Sequence, residues 1–151
     1  MLLRRDRAMT AVSIVLDVAF HAGRGTTVPA GDIADRLGEA RRGIEPVLQA
    51  LSRAGILGST RGPRGGYRLG RAARDITLAE VVSATRPSDA EEEPVATSPS
   101  ALQTKVVQPL WAELEGSLLE TLASRTVAEL LRRAAVEGLE RPAPEALNFA
   151  I

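Results

Sequence analysis

Apolar residues recur along this chain in six helical stripes, interrupted once by two short strand-like runs. Met9, Val12, Leu16, Ala19 and Phe20 share a helical spacing and predict a first helix over about 5–22, ended by Gly23-Arg24-Gly25. Ile33, Ala34 and Leu37 form the inward face of a short second helix with Gly38 as its stop. Ile44, Val47, Leu48 and Leu51 fall at i, i+3, i+4 and i+7, which predicts an amphipathic third helix over 41–54, capped by Gly55. Its outward side carries Arg41, Arg42, Glu45, Gln49, Ser52 and Arg53. Pro46 lacks an amide donor and crowds the preceding turn, so the helix is expected to be regular only from about Glu45, with Arg41 and Arg42 on a looser lead-in.

The runs 56–60 and 67–69 then pair as a hairpin around Arg61-Gly62-Pro63-Arg64-Gly65-Gly66. Pro63 presets the turn, and Gly65 and Gly66 are expected to supply backbone angles that other residues resist. Ile76 to Val81 opens a further helix with two start signals. Thr77 and Glu80 fit a capping box, and Ile76 and Val81 fit a hydrophobic staple. Residues 87–100 hold Pro87, Pro94, Pro99 and the run Glu91-Glu92-Glu93, and read as an exposed, flexible acidic loop. Leu102, Val106, Leu110, Leu114, Leu118 and Leu122 recur every four residues beyond it, widened by Trp111 and Leu119, with Pro109 marking a start or kink. Thr126 and Glu129 form a second capping-box pattern before Val127, Leu130, Leu131 and Ala134, and Gly138 ends that helix. The segment 139–151 reads as an unstructured tail in which Leu147 and Phe149 are the residues able to dock.

Two short helices joined by a glycine-containing turn, followed by an arginine-tipped hairpin, make a winged helix-turn-helix. The expected fold is therefore mainly α with a small β-hairpin wing, extended by a long dimerisation helix. The division is 1–86 for the DNA-binding domain, 87–100 for the loop, 101–138 for the dimerisation helices and 139–151 for the tail. The leucine stripe either completes the chain's own core or packs against a second copy. Its separation from the DNA-reading part favours the second use, with Leu110, Trp111, Leu114, Leu118 and Leu122 as the dimerisation residues.

Charge sharpens this picture. The chain of 151 residues is neutral overall, with 19 basic and 19 acidic residues. Residues 1–86 carry 14 Arg against 8 Asp or Glu, a net of +6, whereas residues 87–151 carry a net of −6. The amino-terminal half is thus the one suited to a polyanion. Arg41, Arg42, Glu45 and Gln49 are placed to read base edges in a major groove, where Arg forks onto guanine and Gln onto adenine. Arg61, Arg64 and Arg68, with Gly65 and Gly66 shaping the turn, anchor the wing on the backbone or in a minor groove. Arg4, Arg5 and Arg7 add phosphate contacts. The glycines do not form a nucleotide-binding loop, since no Lys-Ser/Thr pair follows and a strand, not a helix, comes next.

With no cysteine, disulfides and thiolate chemistry are excluded. The single histidine, His21, reads as a structural residue at a helix end, and no catalytic constellation stands out, so the chain is not expected to be an enzyme. No apolar run reaches the roughly 20 residues of a membrane span, and a cytoplasmic home follows by default.

The run Arg61-Gly62-Pro63-Arg64-Gly65-Gly66-Tyr67-Arg68-Leu69 resembles the wing of the Rrf2 family of bacterial transcription regulators. The resemblance continues through Leu51 to Leu57, Ile76 to Val82, Pro109 to Leu114 and Thr126 to Leu130, and covers about residues 1–137. It implies a homodimer joined by a long helix from each subunit and, in many members, an iron–sulphur cluster held by three cysteines in the loop before that helix. This chain has none of those cysteines, and Gln108 stands where the iron–sulphur cluster regulator has a histidine ligand, so no metal cofactor is expected. The resulting expectation is a homodimeric repressor of a double-stranded DNA operator, with any small-molecule effector left open. A winged-helix adaptor that binds protein instead of DNA is the alternative.

Overall fold

The computed structural model describes residues 5–23, 25–87 and 98–142. Arg4, most of the acidic loop, and Leu147 and Phe149 lie outside the described residues. The elements are α1 (Arg5–His21), α2 (Ala30–Leu37), α3 (Arg41–Arg53), β1 (Leu57–Thr60), β2 (Gly66–Leu69), a 3-10 turn (Ala73–Asp75), α4 (Leu78–Ala84), a π-helical turn (Gln103–Val107), α5 (Gln108–Ala123) and α6 (Val127–Val136).

α1 is the central rod, packed by α2, α3, α4, α6 and β2. It buries Ala8, Ala11, Ile14, Val15, Val18 and Ala19. This is only partly the stripe the spacing suggests: Ala19 is buried and Val12 packs on the core, but Met9 is 62% exposed, and Leu16 and Phe20 are only half-buried. A helix contacted on several sides has no single apolar face, so small and β-branched residues point inward where neighbours crowd closest. α2 and α3 bury the expected residues, Ile33 and Ala34 on one and Ile44, Val47, Leu48 and Leu51 on the other. Val127 of α6 enters the same core, so the last helix helps to close the domain.

An ion pair ties α2 to α1. The Arg36 guanidinium forks onto the Asp17 carboxylate of α1 with both nitrogen–oxygen distances at 2.9 Å. The Asp17 hydrogen bond, reinforced by its charge, holds the Arg36 pKa above the ordinary arginine value despite partial burial. His21 sits one turn beyond Asp17, its Nε2 3.6 Å from the same carboxylate and its ring edge-on to Phe20. The end of α1 is also capped from the far end of the chain, because the Arg141 guanidinium donates to the carbonyls of Ala19 and Phe20. Arg141 falls in the segment that the sequence marks as a free tail; a cation on orphan carbonyls at a helix carboxyl end explains why it is held.

The hairpin pairs Leu57 with Leu69, Gly58 with Arg68, Ser59 with Tyr67 and Thr60 with Gly66. Gly66 therefore belongs to a strand. Val28 adds a third, one-residue strand by exchanging both backbone hydrogen bonds with Tyr67, each at 2.8 Å.

The Thr77 and Glu80 capping box forms in full. The Thr77 N–H donates to Glu80 Oε2 at 2.9 Å, and the Glu80 N–H donates to Thr77 Oγ1 at 3.2 Å. At Thr126 only half of the box forms: its hydroxyl accepts from the Glu129 N–H, but the Glu129 side chain is taken by Arg125. The two helix starts lie back to back, joined by hydrogen bonds from Leu78 N–H to the Arg125 carbonyl and from Val127 N–H to the Ile76 carbonyl, both 3.0 Å. Helical backbone runs unbroken from residue 101 to residue 123. Pro109 would press its ring on the carbonyl four residues back, and the wider π turn ahead of it, closed by Gln108 N–H on the Gln103 carbonyl, is the accommodation.

Thr77→Ala should lower the unfolding free energy by about 1 kcal/mol, the usual worth of such a cap, in a denaturant titration. The Thr77 backbone N–H, followed by Arg71, holds the Glu80 carboxyl below its ordinary pKa, although partial burial opposes this. Its contribution is thus complete above the unfolded glutamate value of about 4.3 and fades as pH falls through the lower folded value. The stability gap between wild type and Glu80→Gln should therefore be constant above about pH 5.5 and shrink below about pH 4. A gap that widens in acid would contradict this assignment.

Candidate nucleic-acid interface

Two exposed elements carry five of the arginines of the amino-terminal half: the outward side of α3, with Arg41, Arg42 and Arg53, and the loop between β1 and β2, with Arg61 and Arg64. α3 begins at Arg41, with Ala40 as N-cap, and continues through Pro46 as regular helix. The looser lead-in expected before Glu45 is not present. Four buried aliphatic side chains on one helix outweigh the proline: each is worth about 1.5–3 kcal/mol, against about 3 for Pro and about 1 for Gly in a helix interior. Arg41, Arg42, Glu45 and Gln49 are all exposed. Arg42, Pro46, Gln49 and Arg53 follow one another at i, i+4, i+7 and i+11 along the outward row, where Arg53 Nη2 reaches Gln49 Oε1 at 3.5 Å.

The wing loop is exposed at Arg61, Gly62, Pro63 and Arg64, while Gly65 and Gly66 are half-buried. Its glycines act differently from the expectation. The left-handed residue is Gly62, with φ at +115°, and neither Gly65 nor Gly66 has a positive φ. Those two are needed for space. A Cβ on Gly65 would collide with the Thr60 carbonyl, and one on Gly66 would lie 2.5 Å from the carbonyl oxygen of Val28. The Gly65 N–H closes the turn on the Gly62 carbonyl at 2.8 Å, and the Thr27 hydroxyl donates to the Arg64 carbonyl at 3.1 Å. The tip is thereby tied to the connector between α1 and α2, which leaves the Arg61 and Arg64 side chains outermost. Arg68 behaves otherwise: it pairs across from Gly58, and its guanidinium lies over that glycine, flat on the hairpin. Arg5 and Arg7 lie on α1; Arg7 is half-buried.

Sequence reasoning missed the Val28 strand and the Asp17–Arg36 fork. Val28 had a signal, a β-branched residue before a proline, which favours extended backbone. Asp17 had one too, an acid between the apolar residues Leu16 and Val18 in the first helix.

The long-helix residues divide. Leu110, Trp111 and Leu114 are about half exposed, as are Val106 and Val107, and Leu102 is 74% exposed. Leu118, Leu119 and Leu122 are partly covered, and α5 packs with α4. No helix among the described residues is long and apolar enough to cross a membrane.

A cluster bound through cysteine does not fit this chain, which has none. Among the described residues no group of three His, Asp or Glu side chains converges as a metal site.

The comparisons with known proteins agree with this geometry. Residues 5–133 match the model of the Rrf2 family, described as an iron-dependent transcriptional regulator. The HTH-type transcriptional regulator IscR of Photobacterium profundum is 36% identical over 123 residues, covering 81% of this chain and 71% of that protein. IscR of Xenorhabdus nematophila is also 36% identical, covering 81% and 74%. Among solved structures, T. potens IscR superposes with a TM-score of 0.68 at 28% identity, covering 90% of each chain. CymR, the global cysteine regulator of B. subtilis, shares the fold with a TM-score of 0.66 at 23% identity, covering 88% of this chain and 98% of that one. With an α1-centred helix-turn-helix, a hairpin wing and a match over most of its length, the chain belongs to the Rrf2 family of DNA-binding transcriptional regulators, which are not enzymes.

Proposed function

We propose that the chain is a homodimeric, cytoplasmic repressor that binds a double-stranded DNA operator without an iron–sulphur cluster. The observation that carries this reading is the pairing of an exposed arginine-bearing face on α3 with a wing whose tip is fixed by backbone hydrogen bonds. In this reading α3 enters the major groove, where Arg41, Arg42, Glu45 and Gln49 meet base edges. Arg61 and Arg64 follow the backbone into the neighbouring minor groove, and Arg68 braces the hairpin while adding positive charge at its side. The net of +6 over residues 1–86 supplies the salt-dependent part of the affinity.

The apolar row on α5 supports the dimer. Leu110, Trp111 and Leu114, preceded by Leu102, Val106 and Val107, leave on one helix more large apolar surface than a lone subunit needs to expose. A second copy covers it by presenting the same row, the self-complementary contact of a two-fold axis. Two α3 helices are then held at the fixed spacing that a repeated half-site requires. The cysteine-free chain leaves a thiolate-bound cluster no ligands, so the signal that releases the operator is of another chemistry.

Arg64→Ala should weaken operator affinity by about 1–3 kcal/mol in a gel-shift titration without changing the melting temperature. Wild-type affinity should fall steeply with added salt; a flat salt response would favour a protein-binding adaptor. Leu114→Asp should convert the native mass from dimer to monomer, and an unchanged dimer would move the interface elsewhere.

A further inference from the structure

Two residues on the outward side of α3 oppose the helix they belong to; the buried face offsets their cost, but neither residue is itself part of the core. Gly43 lies within the first turns, is exposed and does not have a positive φ, and a Cβ there would meet nothing within 4 Å. Alanine would fit and would favour the helix. Pro46 is exposed as well, so its ring adds nothing to the core, and it denies the Arg42 carbonyl the amide that would otherwise close on it. The two are three residues apart and hence neighbours on one face. Pro46 stands between Arg42 and Gln49 on the row already described.

We propose that Gly43 and Pro46 set the sequence preference of α3. The bare backbone at Gly43 lets the start of the helix sit closer to the base-pair edges than any side chain would permit. The Pro46 ring, flat, apolar and without a donor, covers the C5 methyl of a thymine, the one apolar feature of the major groove. This rests on the DNA-binding reading above and deepens it: Arg42 and Gln49 read polar edges on either side of a position that is read by its methyl group.

The test uses the full-length protein. Duplexes selected in vitro from a random pool by wild type, Gly43→Ala and Pro46→Ala are compared, and each thymine of the wild-type consensus is then replaced by uracil, which removes only the methyl group. Both variants should melt at or above the wild-type temperature, so a change in selection cannot be blamed on unfolding. Uracil at one consensus position should weaken wild-type binding about fourfold, the worth of one buried methyl group, and leave Pro46→Ala unaffected. Gly43→Ala should select a different or looser consensus. The proposal is overturned if both variants select the wild-type consensus at wild-type affinity and no uracil position is sensitive to Pro46. Failure of the underlying DNA reading looks different: wild type itself then enriches no sequence.

Discussion

The wing is placed by main chain against main chain. Val28 and Tyr67 exchange both of their backbone hydrogen bonds, Thr27 holds the Arg64 carbonyl, and Gly66 brings β2 against the Val28 carbonyl at a separation no side chain allows. Because the connector carrying Thr27 and Val28 leads directly from α1 to α2, the hairpin is referenced to the same rod that carries the helix-turn-helix. The Asp17–Arg36 fork does the equivalent for α2. Arginines on a freely moving loop would lose ordering entropy on every binding event. On a tip held by these bonds much of that loss is already incurred in folding.

α4 and α6 meet through short-range chemistry. The back-to-back starts of α4 and α6 share backbone hydrogen bonds, and Glu80 connects the α4 start to Arg71, two residues beyond β2. Val127 seals the core from the α6 side.

Much of this is legible in the residues. The α3 stripe, the Thr77–Glu80 box and the hairpin follow from local rules, since each is decided within a few residues of itself. Most of what is not legible depends on contacts that local spacing does not show. Spacing alone finds only part of the buried surface of α1, Val12 and Ala19, because five elements crowd that helix and a single stripe is then the wrong template. Gly65 and Gly66 matter as expected but for a different reason: their neighbours, Thr60 and Val28, come close only once the wing has folded back. Pro46 by itself predicts a broken helix start, but the burial of Ile44, Val47, Leu48 and Leu51 outweighs it. The half-formed box at Thr126 reflects competition, since Arg125 draws the Glu129 carboxylate away from the backbone.

Operator recognition in this form requires α3 and the wing to act on one continuous stretch of DNA. A cysteine-free chain permits a clean measurement, in which a DNA-cleaving iron chelate is tethered to a single cysteine introduced at position 49 or at position 64. Cuts from position 49 should fall inside each half-site, and cuts from position 64 in the flanking minor groove, about half a helical turn away. Cleavage from only one of the two positions, or cuts from both scattered without a fixed separation, would contradict this mode of recognition.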